Sequence, residues 1–169
     1  MTFIYLAGPD VFRPDAEAYG ESLKTACRLH GFEGLYPLDN AVPGGLSQQD
    51  AAAWICRANL GLIQRADLVM ANLNPFRGAE PDSGTVFEVG YAIALGKPVW
   101  GYVDDARAIA QRVAHTTQAG GHLVDEQGLL VEDFGLPLNL MLACSIHVVR
   151  GGPGTCLAEL SRANLFSNR

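Results

Sequence analysis

The chain has 169 residues, of which 18 are Asp or Glu and 12 are Lys or Arg, so its net charge is −6 with the four histidines neutral. Hydrophobic residues make up 49% and charged residues 18%, enough apolar material for one core and too little charge for disorder, and a single compact domain over 1–169 is expected. An acidic balance with no Lys/Arg cluster excludes nucleic acid and anionic membrane as partners, because both are recognised by concentrated positive charge.

No apolar run reaches the ~18 residues of a membrane span, and Met1-Thr2-Phe3-Ile4-Tyr5 has no basic region ahead of its short apolar stretch, so a cytoplasmic protein without a signal peptide is expected. Cys27, Cys56, Cys144 and Cys156 are widely spaced with no C-x-x-C and read as reduced core residues. His30, His115, His122 and His147 form no compact ligand pattern, and neither a metal nor any other cofactor is expected.

The elements follow in chain order. Phe3-Ile4-Tyr5-Leu6 is a β-rich run closed by Ala7-Gly8-Pro9, and a helix follows from Asp15 to about His30-Gly31. A weaker strand at Gly34-Leu35-Tyr36 ends at Pro37. Ser47, with Asp50 three residues on, marks the N-cap of a helix running to about Arg65. Leu68-Val69-Met70-Ala71-Asn72-Leu73 shows little alternation, the pattern of a central strand covered on both faces. After the polar loop 74–83 come a helix over 84–95 and the strand Pro98-Val99-Trp100-Gly101-Tyr102. Residues 104–135 are less regular and hold one possible helix. Ser145-Ile146-His147-Val148-Val149 is a last strand before a terminal helix from about Thr155. Alternating strands and helices predict an α/β fold: a doubly wound, flavodoxin-like parallel sheet of about five strands, with the ligand beyond the strand ends, at the loops after Leu6, Tyr36, Leu73 and Tyr102.

No G-x-G-x-x-G follows the first strand, and neither G-x-x-x-x-G-K-[ST] nor G-x-S-x-G occurs, so dinucleotide, P-loop and serine-nucleophile chemistry are not indicated. Carboxylates remain. Glu88 is the only charge in residues 84–95, a segment apolar enough to predict a helix buried all round. An early-turn Glu can simply serve the helix dipole with its tip in water. On a buried helix, however, an unpaired carboxylate costs several kcal/mol, so one placed at the pocket end is partnered or functional. Asp82, six residues earlier, is an N-cap candidate or a carboxylate that accepts from a substrate hydroxyl. Tyr5 either packs in the core or orients a carboxylate at the strand end.

Four stretches together, Ile4-Tyr5-Leu6-Ala7-Gly8-Pro9-Asp10-Val11-Phe12, residues 66–73, Asn74-Pro75-Phe76-Arg77-Gly78 and residues 81–92, resemble the nucleoside 2-deoxyribosyltransferase family, and the resemblance resumes at Pro137-Leu138-Asn139-Leu140-Met141. It covers most of residues 3 to 102, while 104–135 have no recognised counterpart. It implies exchange of the purine or pyrimidine of a 2′-deoxynucleoside with net retention, Glu88 acting as the covalent nucleophile and Tyr5 orienting it. It further implies 5′-hydroxyl contacts from Asp82 and, across a subunit interface, Asn139, with Met141 near the reacting centre. Base contacts would come from Asn59 and from the first loop at Gly8, Asp10 and Phe12. The implied partners are 2′-deoxynucleosides, free nucleobases and further copies of the chain in a dimer-based homo-oligomer that shares its sites, with the subunit number (a tetramer or hexamer among the options) left open. Two positions depart from the family pattern. Asn59 stands where some members carry Asp, and Ala41 where some carry Gln, which leaves base preference and protonation of the leaving base open. The alternatives are a nucleoside 5′-monophosphate N-glycosidase using the same Glu with water as acceptor, and a nucleotide-sensing module without turnover.

Overall fold

The computed structural model describes residues 1–167, with side chains described through Ala163. The elements are β1 (Thr2–Ala7), α1 (Ala16–Leu29), β2 (Phe32–Leu35), α2 (Gln48–Arg65), β3 (Leu68–Asn72), α3 (Ser83–Ala94), β4 (Val99–Val103), the two-residue strands β5 (Thr116–Thr117) and β6 (Leu123–Val124), α4 (Leu140–Ala143), β7 (His147–Arg150) and α5 (Pro153–Ser167). Five strands form a wholly parallel sheet in the order β2-β1-β3-β4-β7, while β5 and β6 pair antiparallel outside it.

Side chains alternate across a strand, so each strand feeds two cores. Tyr5, Ala7, Val69, Ala71, Val99 and Val103 pack with Ile63 of α2 and Val89 and Ala92 of α3. On the other face Ile4, Leu6, Leu68, Met70 and Tyr102 pack with Leu23 and Cys27 of α1 and Leu157 and Leu160 of α5. The central strand is β3, and its residues Leu68 to Ala71 are all buried, which is why its sequence lacks alternation. Tyr5 lies level with Leu35 on one neighbour and Val69 on the other, one turn of pleat short of the carboxyl edge.

Local chemistry sets the helix ends. The Ser47 hydroxyl accepts from the Asp50 N–H at 3.1 Å and starts α2. Beyond α1 the chain turns at Gly31, whose φ of 83° lies in the left-handed region that glycine adopts without penalty. Inside α1, a Cβ on Gly20 would sit 2.5 Å from Cδ1 and Cε1 of the buried Tyr36 ring. Alanine normally improves a helix over glycine by roughly 1 kcal/mol. At Gly20 the clash reverses the sign, and Gly20→Ala is expected to destabilise by about 1–3 kcal/mol, seen as a lower urea midpoint at unchanged slope.

The structure corrects several expectations. Cys27 and Cys156 are buried core residues, but Cys56 and Cys144 are exposed, because they fall on the outer faces of α2 and of the α4 end. The helix carrying Glu88 is not buried all round: Phe87 is 59% exposed and Ile93 and Leu95 also reach solvent, since the sheet and α2 cover only part of its surface. In 104–135 the possible helix is a single 3-10 turn at Ile109–Gln111. The terminal helix starts earlier, at Pro153, whose fixed φ suits a first turn.

Candidate active site

The chain leaves β1 to build β2 on one side and returns to build β3 on the other, so the loops after β1 and β3 diverge and open a crevice at the carboxyl edge. A cleft of 340 Å³ occupies it, walled by Gly8, Val11 and Phe12 after β1, Pro37 and Leu38 after β2, Ile55 and Asn59 on α2, and Asp82, Gly84, Thr85 and Glu88 at the start of α3. The fourth expected loop does not reach it. After Tyr102 the Asp104 N–H donates instead to Asn74 Oδ1 at 2.8 Å.

Glu88 meets Tyr5 across 83 positions of sequence, the phenol donating to Glu88 Oε1 at 2.6 Å. Asn59 Nδ2 addresses the same oxygen at 3.5 Å, so among the described residues Oε2 accepts from no side chain. Burial pushes the Glu88 carboxyl up to about 7 and the charge of Asp82 adds to it, while the bonds from Tyr5 and Asn59 pull the other way. Tyr5 is pushed far above the usual phenol range by its own burial, then by the Glu88 charge and their shared bond, so it stays a donor. A carboxylate held from one side, with a free oxygen and an elevated pKa in a concave site, has the arrangement of a poised nucleophile.

Asp82 caps α3, the first of the two readings made from its position. Its Oδ2 accepts from the Thr85 N–H at 2.9 Å and the Thr85 hydroxyl at 3.0 Å, capping α3. The second oxygen is left for the cleft. The buried Asn59 Oδ1 has no partner among the described residues, an acceptor facing no donor. At the rim Phe12, 58% exposed, stacks on Phe76 with ring centroids 5.3 Å apart. The Arg77 guanidinium covers both rings, 4.6 Å from the Phe76 centroid and 5.3 Å from that of Phe12. Arg77 has φ of 55°, the sole non-glycine residue at positive φ among those described.

Asp10, expected as a base contact, does not line the cleft. Its oxygens accept from Asn72 Nδ2 at 3.2 and 3.0 Å, and Asn72 Oδ1 in turn accepts from the backbone and side-chain nitrogens of Asn74. Asp10 thus ties the end of β1 to that of β3, and burial raises its pKa against the pull of Asn72 and Arg13. Gly8 is required beside this tie, because a Cβ there would lie 2.8 Å from Asp10 Oδ2 and 2.9 Å from Asn72 Cβ.

Asn139 and Met141 are absent from this cleft in their own chain. They border a larger groove of 660 Å³ with Val86, Gly90, Ile93 and Leu142, along the flank of α3 opposite Glu88. Met141 is 70% exposed there. That groove is larger than the cleft but holds no carboxylate–phenol pair. Among the described residues no group of three or more His, Cys, Asp and Glu side chains is gathered as a metal site would need. The sequence pattern does not single out the apolar walls Val11, Leu38 and Ile55, although Ile55 lies one helical turn before Asn59 and shares its face.

Comparison with known proteins identifies the family and the fold. The family model described as nucleoside 2-deoxyribosyltransferase matches residues 4–141. A 2-deoxyribosyltransferase from Leishmania mexicana is 35% identical, with 96% of this chain and 98% of that one covered at a TM-score of 0.77. A Schizosaccharomyces pombe protein of uncharacterized function, C191.05c, is 31% identical over 88% of this chain and 78% of its own length. A CMP N-glycosidase from Clostridium botulinum shares the fold at 16% identity, 95% and 99% coverage and a TM-score of 0.50. With a matched region that runs from β1 through Glu88 to Met141, the chain belongs to the nucleoside 2-deoxyribosyltransferase family.

Proposed function

We propose that the protein exchanges the base of 2′-deoxynucleosides through a covalent deoxyribosyl ester on Glu88. The observation that carries this reading is the 2.6 Å bond from Tyr5 to Glu88 Oε1 at the floor of the cleft, which leaves Oε2 to attack. In the first step Oε2 bonds to C1′ while the C1′–N bond breaks, its electron pair leaving with the base, which is protonated as it departs. In the second step a ring nitrogen of an incoming base bonds to C1′, gives up its proton, and the ester bond returns its pair to the carboxylate. Two inversions give retention. Tyr5 neutralises part of the carboxylate charge on Oε1 and fixes its plane, and Asn59, whose Nδ2 also faces Oε1, has a second N–H for the base. The apolar walls Val11, Leu38 and Ile55 accommodate a flat ring.

Asn139 and Met141 reach a cleft only if they serve a second copy's. The exposed Ile93 and Met141 in the groove beside α3 supply an apolar face for that copy, and an oligomer with shared sites is part of the proposal. A second reading, hydrolysis of a nucleoside 5′-monophosphate, draws on Arg77 at the rim as a phosphate partner; the Asp82 carboxylate opposes it.

Incubation with deoxyadenosine plus a free pyrimidine, and separately with a deoxynucleoside 5′-monophosphate, tests this by chromatography. The expected product is the pyrimidine deoxynucleoside with free adenine. Release of deoxyribose phosphate from the second mixture in place of exchange in the first moves the assignment to the hydrolase, and no product in either marks a binding module.

A further inference from the structure

Residues 104–135 have no place in the chemistry above, yet they converge on one short segment. Glu132 Oε1 accepts from Asn139 Nδ2 at 2.7 Å and its Oε2 accepts from the Leu140 N–H at 3.0 Å, so both oxygens of one carboxylate are used on neighbouring residues. Asn139 Oδ1 then accepts from the Met141 N–H at 3.0 Å. This fixes which end of the amide is oxygen: the nitrogen faces the acceptor-only Glu132 and the oxygen faces Met141. Two more groups of the same region grip the approach to the segment, the Ile109 N–H donating to Leu136 O at 2.8 Å and Arg112 Nη2 donating to Pro137 O. Leu138 and Leu142 are buried as anchors on either side, and between them Met141 is pushed out with 70% of its surface exposed.

A four-residue helix has little stability of its own. Its orientation is imposed from outside, and the groups that impose it are not among those lining either concavity. We propose that Glu132 is a positioning residue for base exchange: it presents Asn139 and Met141, in the correct amide orientation, to the cleft of a neighbouring subunit, and residues 104–135 are the bracket that carries it. This rests on the exchange reading and extends it to a residue that touches no substrate.

Glu132→Gln is the discriminating variant. It keeps shape and volume, but its NH₂ must face either the Asn139 amide nitrogen or the Leu140 N–H, donor against donor. Expected are a KM for the deoxynucleoside raised at least about tenfold with kcat within about threefold, an unchanged pH profile, and faster hydrogen exchange at Leu140. Glu132→Asp, which keeps both acceptor oxygens, should recover part of the KM. Mixed assemblies of Glu132→Gln with Glu88→Gln subunits should regain sites of wild-type KM, because one site then combines an intact Glu88 with an intact Glu132 from its neighbour. A wild-type KM and wild-type Leu140 exchange in Glu132→Gln would overturn the proposal. Slow variants that mixing does not restore would place the effect within one subunit and overturn the presentation across the interface. If the wild-type protein exchanged no base, the exchange reading would fail by itself. The Leu140 measurement needs no substrate and still decides whether Glu132 holds the segment.

Discussion

Glu88→Gln is expected to abolish base exchange while making the protein more stable above neutral pH. The amide cannot form the glycosyl ester, so the loss should be several orders of magnitude in kcat, and a variant retaining more than about a tenth of wild-type kcat would remove Glu88 from the mechanism. Stability moves the other way for an electrostatic reason. Burial holds the folded carboxyl at about 7 against an ordinary 4.5, so the folded state binds the proton more tightly than the unfolded chain. Stability therefore falls as pH rises between 4.5 and 7, and above 7 the ionised form costs the fold about 3 kcal/mol. Glutamine accepts from Tyr5 without that cost. Denaturant titrations at pH 4 and pH 8 should show the variants nearly equal at the first and Glu88→Gln the more stable at the second. The same pKa governs rate: kcat/KM of the wild type should drop about tenfold per pH unit below 7, as the nucleophilic carboxylate is protonated.

The second large effect concerns the 5′ end of the sugar. Asp82 uses one oxygen on Thr85, and on the proposed function its other oxygen would accept from a 5′-hydroxyl, whereas a 5′-phosphate would bring like charge against it. A charged acceptor bond is worth roughly 1.5–3 kcal/mol, so wild-type protein should prefer deoxynucleosides to their 5′-monophosphates by more than tenfold in kcat/KM. Asp82→Asn should narrow that preference from both sides, weakening the nucleoside and relieving the phosphate. Asn remains a good N-cap, so the fold should survive the change and the kinetics can be read as specificity. Four kcat/KM values settle it, and equal use of the monophosphate by the wild type would transfer the assignment to the hydrolase.

The parallel sheet was legible because buried strands such as Leu68 to Ala71 must be continuously apolar, and the caps were legible because Ser47 and Asp82 act on residues three positions away. Glu88 stood out as one charge in an apolar helix, and its phenol partner followed from the resemblance. What was hidden depends on long-range geometry. Nothing local distinguishes Glu132 from a solvated carboxylate, since its partners lie seven and eight positions on and only chain reversal brings them back. The partner of Asp10 is equally distant: its place in the first loop points to the cleft, while Asn72, 62 positions away on the neighbouring strand, donates to both carboxylate oxygens. The exposed flank of α3 was misread because hydrophobicity reports burial without reporting which molecule supplies the cover.

The tight approach at Gly8 has a practical consequence for redesign. Any side chain there strikes the Asp10 carboxylate and the Asn72 stem, so variation at positions 8, 10 or 72 would loosen the joint between two neighbouring strands before altering what the cleft accepts. Val11, Phe12, Leu38 and Ile55 face the same cavity from outside that joint. A combinatorial library aimed at unnatural bases should therefore randomise those four positions and leave the first turn's glycine and aspartate untouched.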